Sequence, residues 1–549
     1  MARLHPWGLV FAAIFFTIGL TPSLLLRDWF YQGVVSGLAA GCGYGVGVAV
    51  HWLVVRLARW RPIVIPQRRR TVIDAVVATV VVLWMIITTV LSISWQGDLA
   101  ELTGVDIQPT MLILAITPVG VVIALLVIGL GRGLSRGAEW IGRLFPDSAH
   151  HRLRMGVSWV AVFMVVVWAV ETAIPGTIVA AGEKIFEPRN AHPEQGRVQP
   201  AQPERSGSPD SVVEWEDVGA YGSRFLNEGA GAAELEEVTG EPAVEPIRLY
   251  AGLATAPTDG ARAEVIIDEL ERTNAVEREA ILLIMTTGTG WVNPATAQAF
   301  ELLYGGDTAI ISEQYSAVPS AYHFLAGGDV VQTAGRDFIT PIVDWWNTLD
   351  EDSRPKLYLY GESLGSTGVE SAFSGMRDIV NSVDGILLAG PPNFNPLWSV
   401  FTERRDPGTR EVLPEYSGGI VVRFANRNED ILRHLDDGDE WGPTRMLYVQ
   451  HPSDPVTWWS PELILREPDW LIEEAGFDRL PAMRWAPIVT FLQLSADLPV
   501  SQNVPDGHGH NYGNSMVPGF AAVAEPGRFD RADIERVQSQ MEQARALGG

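Results

Sequence analysis

The sequence predicts an α-helical membrane domain of five spans followed by an α/β domain on a mainly parallel sheet. Three observations predict it: long apolar runs confined to the first third, a reversal of charge along the chain, and a later alternation of short apolar runs with helical stretches.

The apolar runs fall near residues 8–26, 32–55, 72–94, 110–131 and 155–178. Each is close to the ~20 residues a helix needs to cross the hydrocarbon core. A cleaved signal peptide accounts for the first run alone. Arginine sets the direction. Arg56, Arg59, Arg61, Arg68, Arg69 and Arg70 lie between the second and third runs, and Arg132, Arg136, Arg143, Arg152 and Arg154 between the fourth and fifth. The loop after the third run carries Asp98, Glu101 and Asp106 and no basic residue. The positive-inside rule puts the Arg-rich loops and the N-terminus in the cytoplasm, so an odd number of spans leaves the rest of the chain outside. Asp74 and Glu171 sit near span ends, where solvation accounts for them. The spans hold no paired charges, so anchoring among membrane lipids is favoured over transport.

Residues 1–180 contain 13 Arg, no Lys and 8 acidic residues, a net of +5; with −26 for the whole chain, residues 181–549 carry −31. An acidic domain repels a phosphate backbone, which excludes nucleic acid as a partner. The single cysteine, Cys42, excludes an intramolecular disulfide and a thiolate zinc site.

Residues 183–211 are rich in Pro, Gln, Glu and Ser and read as an extended tether, with the spaced aromatics of 215–225 as a lead-in. The expected layout is therefore a membrane domain at 1–180, a linker at 181–245 and an α/β domain at 246–549. In the last of these, residues 247–253, 280–286, 356–360, 385–389, 420–424 and 446–450 read as buried strands, and 261–270 and 337–349 as helices between them. Continuous apolar strands separated by helices imply a parallel sheet covered on both faces.

Gly361-Glu362-Ser363-Leu364-Gly365 fits Gly-x-Ser-x-Gly, the pattern of a serine held on a sharp strand-to-helix turn. A predicted strand precedes it and residues 366–376 follow as a helix. A serine hydroxyl needs a histidine to take its proton and an acid to orient that histidine. In this arrangement the chain order is Ser, acid, His. Asp454 lies in a polar turn just past the strand at 446–450 and is favoured as the acid over Asp430, while His451 is assigned to stabilising that turn. Val504–Tyr512 supplies two candidate bases. The glycines around His508 favour it, and His510 stays open. His-x-His also suits zinc, but no supporting third and fourth ligands stand out, and neither metal nor cofactor is expected. For the oxyanion, the Leu364 N–H directly follows the nucleophile, and Thr289, Gly290 and Trp291 lie in a glycine-rich loop after the strand at 280–286. That loop lacks the rest of a P-loop or dinucleotide fingerprint. Gln314-Tyr315-Ser316 is a further candidate to reach the site. The late tryptophans (345, 346, 398, 441, 458, 459, 470 and 485) divide between core packing and an acyl pocket, with packing favoured.

Taken together, residues 287–292 (Thr-Gly-Thr-Gly-Trp-Val), Gln314-Tyr315-Ser316, Gly-Glu-Ser-Leu-Gly at 361–365, Gly390-Pro391-Pro392, 450–455 with Ser-Asp-Pro, Trp458-Trp459-Ser460-Pro461 and 507–510 resemble an actinobacterial-type family of membrane-anchored α/β-hydrolases, in which a multi-span domain precedes the catalytic one. The resemblance implies an α/β-hydrolase fold with a Ser–Asp–His triad and implies no substrate. The leading expectation is an extracytoplasmic esterase- or lipase-like serine hydrolase acting on lipid or envelope esters through an acyl-enzyme. The alternatives are an acyltransferase using the same triad, and an inactive hydrolase domain serving as a receptor or assembly module.

Overall fold

Seven short apolar segments pair edge to edge: β1 (Ile247–Ala251), β2 (Ala280–Met285), β3 (Thr308–Glu313), β4 (Lys356–Glu362), β5 (Gly385–Ala389), β6 (Val422–Ala425) and β7 (Arg445–Val449). All six pairings are parallel, in the order β1-β3-β2-β4-β5-β7-β6. The computed structural model describes every residue except 1–3, 58–65, 107–109, 146–150, 437–440 and 549. Arg59 and Arg61, used above for orientation, lie outside the described residues.

Every residue of β2, β3, β5 and β7 is buried. Parallel crossovers cover both faces of the sheet with helices, which is why these strands read as continuous apolar runs rather than alternating ones. β3 escapes the sequence reading because its Thr-Ala-Ile-Ile-Ser-Glu has only three apolar residues. Two of its three polar members bond internally: Ser312 Oγ donates to the Ile284 carbonyl at 2.8 Å, and Glu313 accepts from Arg262 Nε at 2.8 Å.

The chain divides into two compact units. One holds residues 171–451 and 512–549, including the whole sheet; the other holds residues 1–170 together with 452–511. The boundary expected near 180 is therefore not the only one, because sixty residues after β7 pack with the N-terminal helices.

Those helices differ from the expected five spans. Trp29–Leu57, Thr71–Thr103 and Met111–Gly142 are long and apolar enough to cross a membrane, whereas Pro6–Gly19 and Leu153–Trp168 are shorter. The first helix stops just ahead of Pro22, which cannot continue it. The last is interrupted by a π-turn at Ala169–Ala173 and resumes at Ile174–Asn190.

The segment read as a tether is folded. Arg205 and Ser206 are buried, and chain 204–206 lies beside β1, with the Ser206 N–H donating to the Arg248 carbonyl at 3.0 Å and the Arg248 N–H to the Glu204 carbonyl at 3.0 Å. Arg205 also donates to the Leu226 carbonyl at 2.7 Å. Its polar composition conceals this because the segment docks through backbone and charged groups rather than an apolar stripe.

Candidate active site

The topology marks where a site belongs. From β2 the chain moves one way to β3, and from β4 it moves the other way to β5, so the order reverses between β2 and β4. In open α/β sheets ligands bind at the carboxyl ends of the strands flanking such a reversal. The segments leaving those ends are 286–291 after β2 and Ser363 after β4.

Ser363 has φ 54° and ψ −127°, a backbone conformation rarely adopted by a residue with a Cβ. It separates β4 from the helix Leu364–Ser371, and its N–H donates to the Ala389 carbonyl of β5 at 2.9 Å. The flanking glycines leave room for the bend. A Cβ on Gly361 would stand 2.5 Å from the Gly365 carbonyl carbon, and one on Gly365 would stand 2.2 Å from the Met285 carbonyl oxygen. One helical turn on, a Cβ on Gly368 would meet Met285 Cγ at 2.6 Å. The pentapeptide is thus a packing requirement of this turn, and helix geometry leaves the Leu364 N–H without an intrahelical acceptor.

Behind the serine, the helix carries a fully buried carboxylate. Glu370 accepts from Asn395 Nδ2 at 2.8 Å, Tyr448 Oη at 2.9 Å, and the Leu397 and Trp398 N–H groups at 2.6 and 3.1 Å. Burial pushes this carboxyl up to about 7, against the pull of those donors. Glu362, inside the pentapeptide, accepts from Tyr360 Oη at 2.9 Å and Asn293 Nδ2 at 3.0 Å.

The loop after β2 is a tight turn. The Gly290 N–H donates to the Thr287 carbonyl at 2.8 Å, and Thr287 pairs across to Trp291. Gly290 has φ +86°, and a Cβ there would stand 2.1 Å from the Tyr250 hydroxyl, which donates to the Gly290 carbonyl at 2.7 Å. Gly290 is therefore needed for the turn, and its N–H is already engaged, which removes it from the expected oxyanion donors. Thr289 is buried and Trp291 half-buried in the same turn. Tyr315 is buried, with a hydroxyl that has no hydrogen-bond partner among the described residues. Burial raises its phenol well above the ordinary range.

The expected acid and the candidate histidines belong to the 452–511 segment. Asp454 is fully buried and caps the turn Pro455–Trp458, accepting from the Val456 N–H at 2.8 Å. Its other oxygen lies 2.7 Å from His510 Nδ1, and His510 is only 3% exposed. His508, the histidine favoured from sequence, is not the one paired to Asp454: its Nδ1 stands 3.6 Å from Asp478, beyond a good hydrogen bond, and its ring rests near Phe477. The two imidazoles are separated by Gly509, at φ +51°, in a turn closed by the His508–Asn511 bridge. Spacing alone cannot say which histidine such a turn directs at the acid. Asp430, the competing acid, is engaged elsewhere, accepting from the Asn426 N–H at 3.0 Å and pairing with Arg433. His451 stacks on Tyr512 with ring centroids 4.1 Å apart, in keeping with a role in holding its loop.

Sequence reasoning did not find Ser453, Asp478 or Glu370. Ser453 donates to Asp478 and accepts from the Gly509 N–H at 2.8 Å, tying the histidine turn to the acid's own turn. An isolated polar residue in a loop carries no pattern that reveals such a bond. Trp346, Trp398, Trp441, Trp458 and Trp470 are buried, consistent with packing rather than a pocket lining.

No curated protein matches the chain. Among solved structures, Trichoderma reesei cutinase in complex with a C11Y4 phosphonate inhibitor is 13% identical, with a TM-score of 0.21 over 49% of this chain and 89% of the cutinase chain. So low a score leaves the assignment to the family models. Residues 247–537, more than half of the chain, match the model described as "Alpha/beta-hydrolase family", and residues 20–230 match that described as "Alpha/beta-hydrolase family N-terminus". This chain therefore belongs to the α/β-hydrolase family and carries that family's N-terminal region ahead of the sheet domain.

Proposed function

We propose that the chain is a membrane-anchored serine hydrolase cleaving lipid or cell-envelope esters, with Ser363 as nucleophile, His510 as base and Asp454 as orienting acid. The observation that carries the reading is the strained backbone of Ser363 on its glycine-flanked turn, since strain of this kind persists where a nucleophile must be presented. The His510–Asp454 bond supports it: a carboxylate on Nδ1 fixes the tautomer that leaves Nε2 basic.

In the proposed reaction Ser363 Oγ attacks the ester carbonyl carbon while His510 Nε2 takes its proton. The Leu364 N–H donates to the developing oxyanion. Collapse breaks the acyl–oxygen bond, and the alcohol leaves with the proton from His510. Water, deprotonated by the same nitrogen, then cleaves the acyl-enzyme and restores Ser363. The buried imidazolium that forms in each step is stabilised by Asp454.

The membrane placement is part of the proposal. The 452–511 segment meets the loops that follow the first and third predicted spans: Gln493 Nε2 donates to the Thr21 carbonyl at 3.0 Å, and a Cβ on Gly104 would lie 3.5 Å from Pro505. Those are the Arg-poor loops, which the positive-inside rule assigns to the outer face. An outer location also requires the helix Leu153–Trp168, continued through its π-turn into Ile174–Asn190, to cross, and a cytoplasmic N-terminus requires Pro6–Gly19 to cross.

A fluorophosphonate probe applied to the full-length protein tests the chemistry. Ser363 should be labelled, and Ser363→Ala should lose both the label and hydrolysis of short acyl esters. Undiminished labelling of that variant would sink the assignment.

A further inference from the structure

The histidine–acid pair is braced from the N-terminal helices. The loop after Pro6–Gly19 inserts Leu24 and Leu25, both fully buried, and the buried cation Arg27. Arg27 Nε stands 3.0 Å from Asp497 Oδ1, and the other oxygen of Asp497 accepts from Ser23 Oγ and from the Leu24 N–H at 3.2 Å. Asp497 is the last residue of the helix Val489–Asp497. The chain continues directly through the 3₁₀ turn Leu498–Val500 to Ser501, whose carbonyl accepts from the His510 N–H at 2.8 Å. A Cβ on Gly509 would stand 2.7 Å from that carbonyl and 3.4 Å from Leu25 Cδ1, so the histidine turn rests on the same loop.

We infer that Arg27 and Asp497 form a positioning clamp for His510, making the N-terminal helices a working part of the base rather than only an anchor. The inference rests on the reading of His510 and Asp454 given above. A buried ion pair is a poor way to gain stability, because desolvating two charges offsets much of their attraction. It is a good way to fix direction. Here it fixes the end of a helix four residues from the carbonyl that holds the histidine's backbone. A displacement of about 1 Å at a general base is enough to slow catalysis by about 100-fold.

The test uses the full-length chain in lipid nanodiscs, with p-nitrophenyl butyrate as substrate and the fluorophosphonate probe on Ser363. Arg27→Met and Asp497→Asn should each lower kcat by about ten- to a hundredfold with KM within about twofold, slow labelling by the same factor, and move the acidic limb of the pH–rate profile, where the base takes up its proton. Arg27→Lys should recover part of the loss. Phe16→Ala, which opens a gap against Gly120 in the first helix's packing, controls for instability; it should lower the melting temperature at unchanged kcat. Wild-type kcat and labelling in Arg27→Met, with Ser363→Ala unlabelled, would overturn the clamp alone. A kcat loss in Phe16→Ala that tracks its melting temperature as Arg27→Met does would also overturn it. Labelling that persists in Ser363→Ala would overturn both this inference and the reading beneath it.

Discussion

The serine and the histidine–acid pair are held by different physics. Ser363 is positioned by backbone: a β4–β5 ladder on one side, a helix start on the other, and glycines that admit nothing larger. His510 is positioned by side chains and loop carbonyls gathered from distant parts of the sequence: Asp454, Ser453, Asp478 and Ser501. A backbone-defined element leaves a short, regular signature, and a side-chain-defined one leaves none. That difference explains why the sequence singles out Ser363 as the one candidate nucleophile but narrows the candidate base only to a pair.

The largest expected effect tests that contrast at the base. His510→Ala should lower kcat/KM on a short ester by about 10⁴-fold, whereas His508→Ala should stay within about tenfold of wild type. Equal losses, or the reverse order, would return the assignment to His508. At the nucleophile the corresponding break is steric. Gly365→Ala drives a methyl into the Met285 carbonyl, across the β2–β4 pairing, and should cost about 2–4 kcal/mol in urea denaturation. A loss under about 0.5 kcal/mol would mean that the turn is less constrained than its glycines imply.

The smallest effect sharpens the account of how the serine-bearing helix is seated. Four donors face the Glu370 carboxylate, so Glu370→Gln turns an amide N–H₂ toward at least one of them and should cost about 1–3 kcal/mol. The pH dependence follows from the raised carboxyl. In the unfolded chain it ionises near 4.5 and in the folded chain near 7, so the folded state holds the proton longer. That contribution to stability is complete below about 4.5 and is lost as pH climbs through about 7. Denaturation midpoints measured across this window should decline in the wild type and flatten in Glu370→Gln.

Six of the seven strands were legible because burial on both faces leaves short, mostly apolar runs, broken only by Arg248 in β1 and Arg423 in β6 within the strand interiors. β3 was not, since half of its residues are polar, and Ser312 and Glu313 find their partners only in the folded domain. The capped turn at Asp454 was legible from its place after β7 and from the Asp-Pro pair, which suits such a turn. The tether was misread because Arg205 and Ser206 dock through hydrogen bonds, which hydrophobic periodicity does not register. Five runs were apolar enough for spans, but length also depends on where a proline or a π-turn stops the helix.

The return of residues 452–511 to the N-terminal helices has a practical consequence for handling the protein. A fragment beginning near residue 180 looks like a clean soluble catalytic piece in the sequence. It would retain Asp497 while discarding Arg27, Leu24 and Leu25, leaving an uncompensated carboxylate and bare apolar surface on the very segment that carries the histidine. Such truncations are expected to aggregate or to fold with a slack base. The useful dissection is therefore co-expression of the two pieces, in which recovered turnover would report that the N-terminal helices can complete the site without a covalent link.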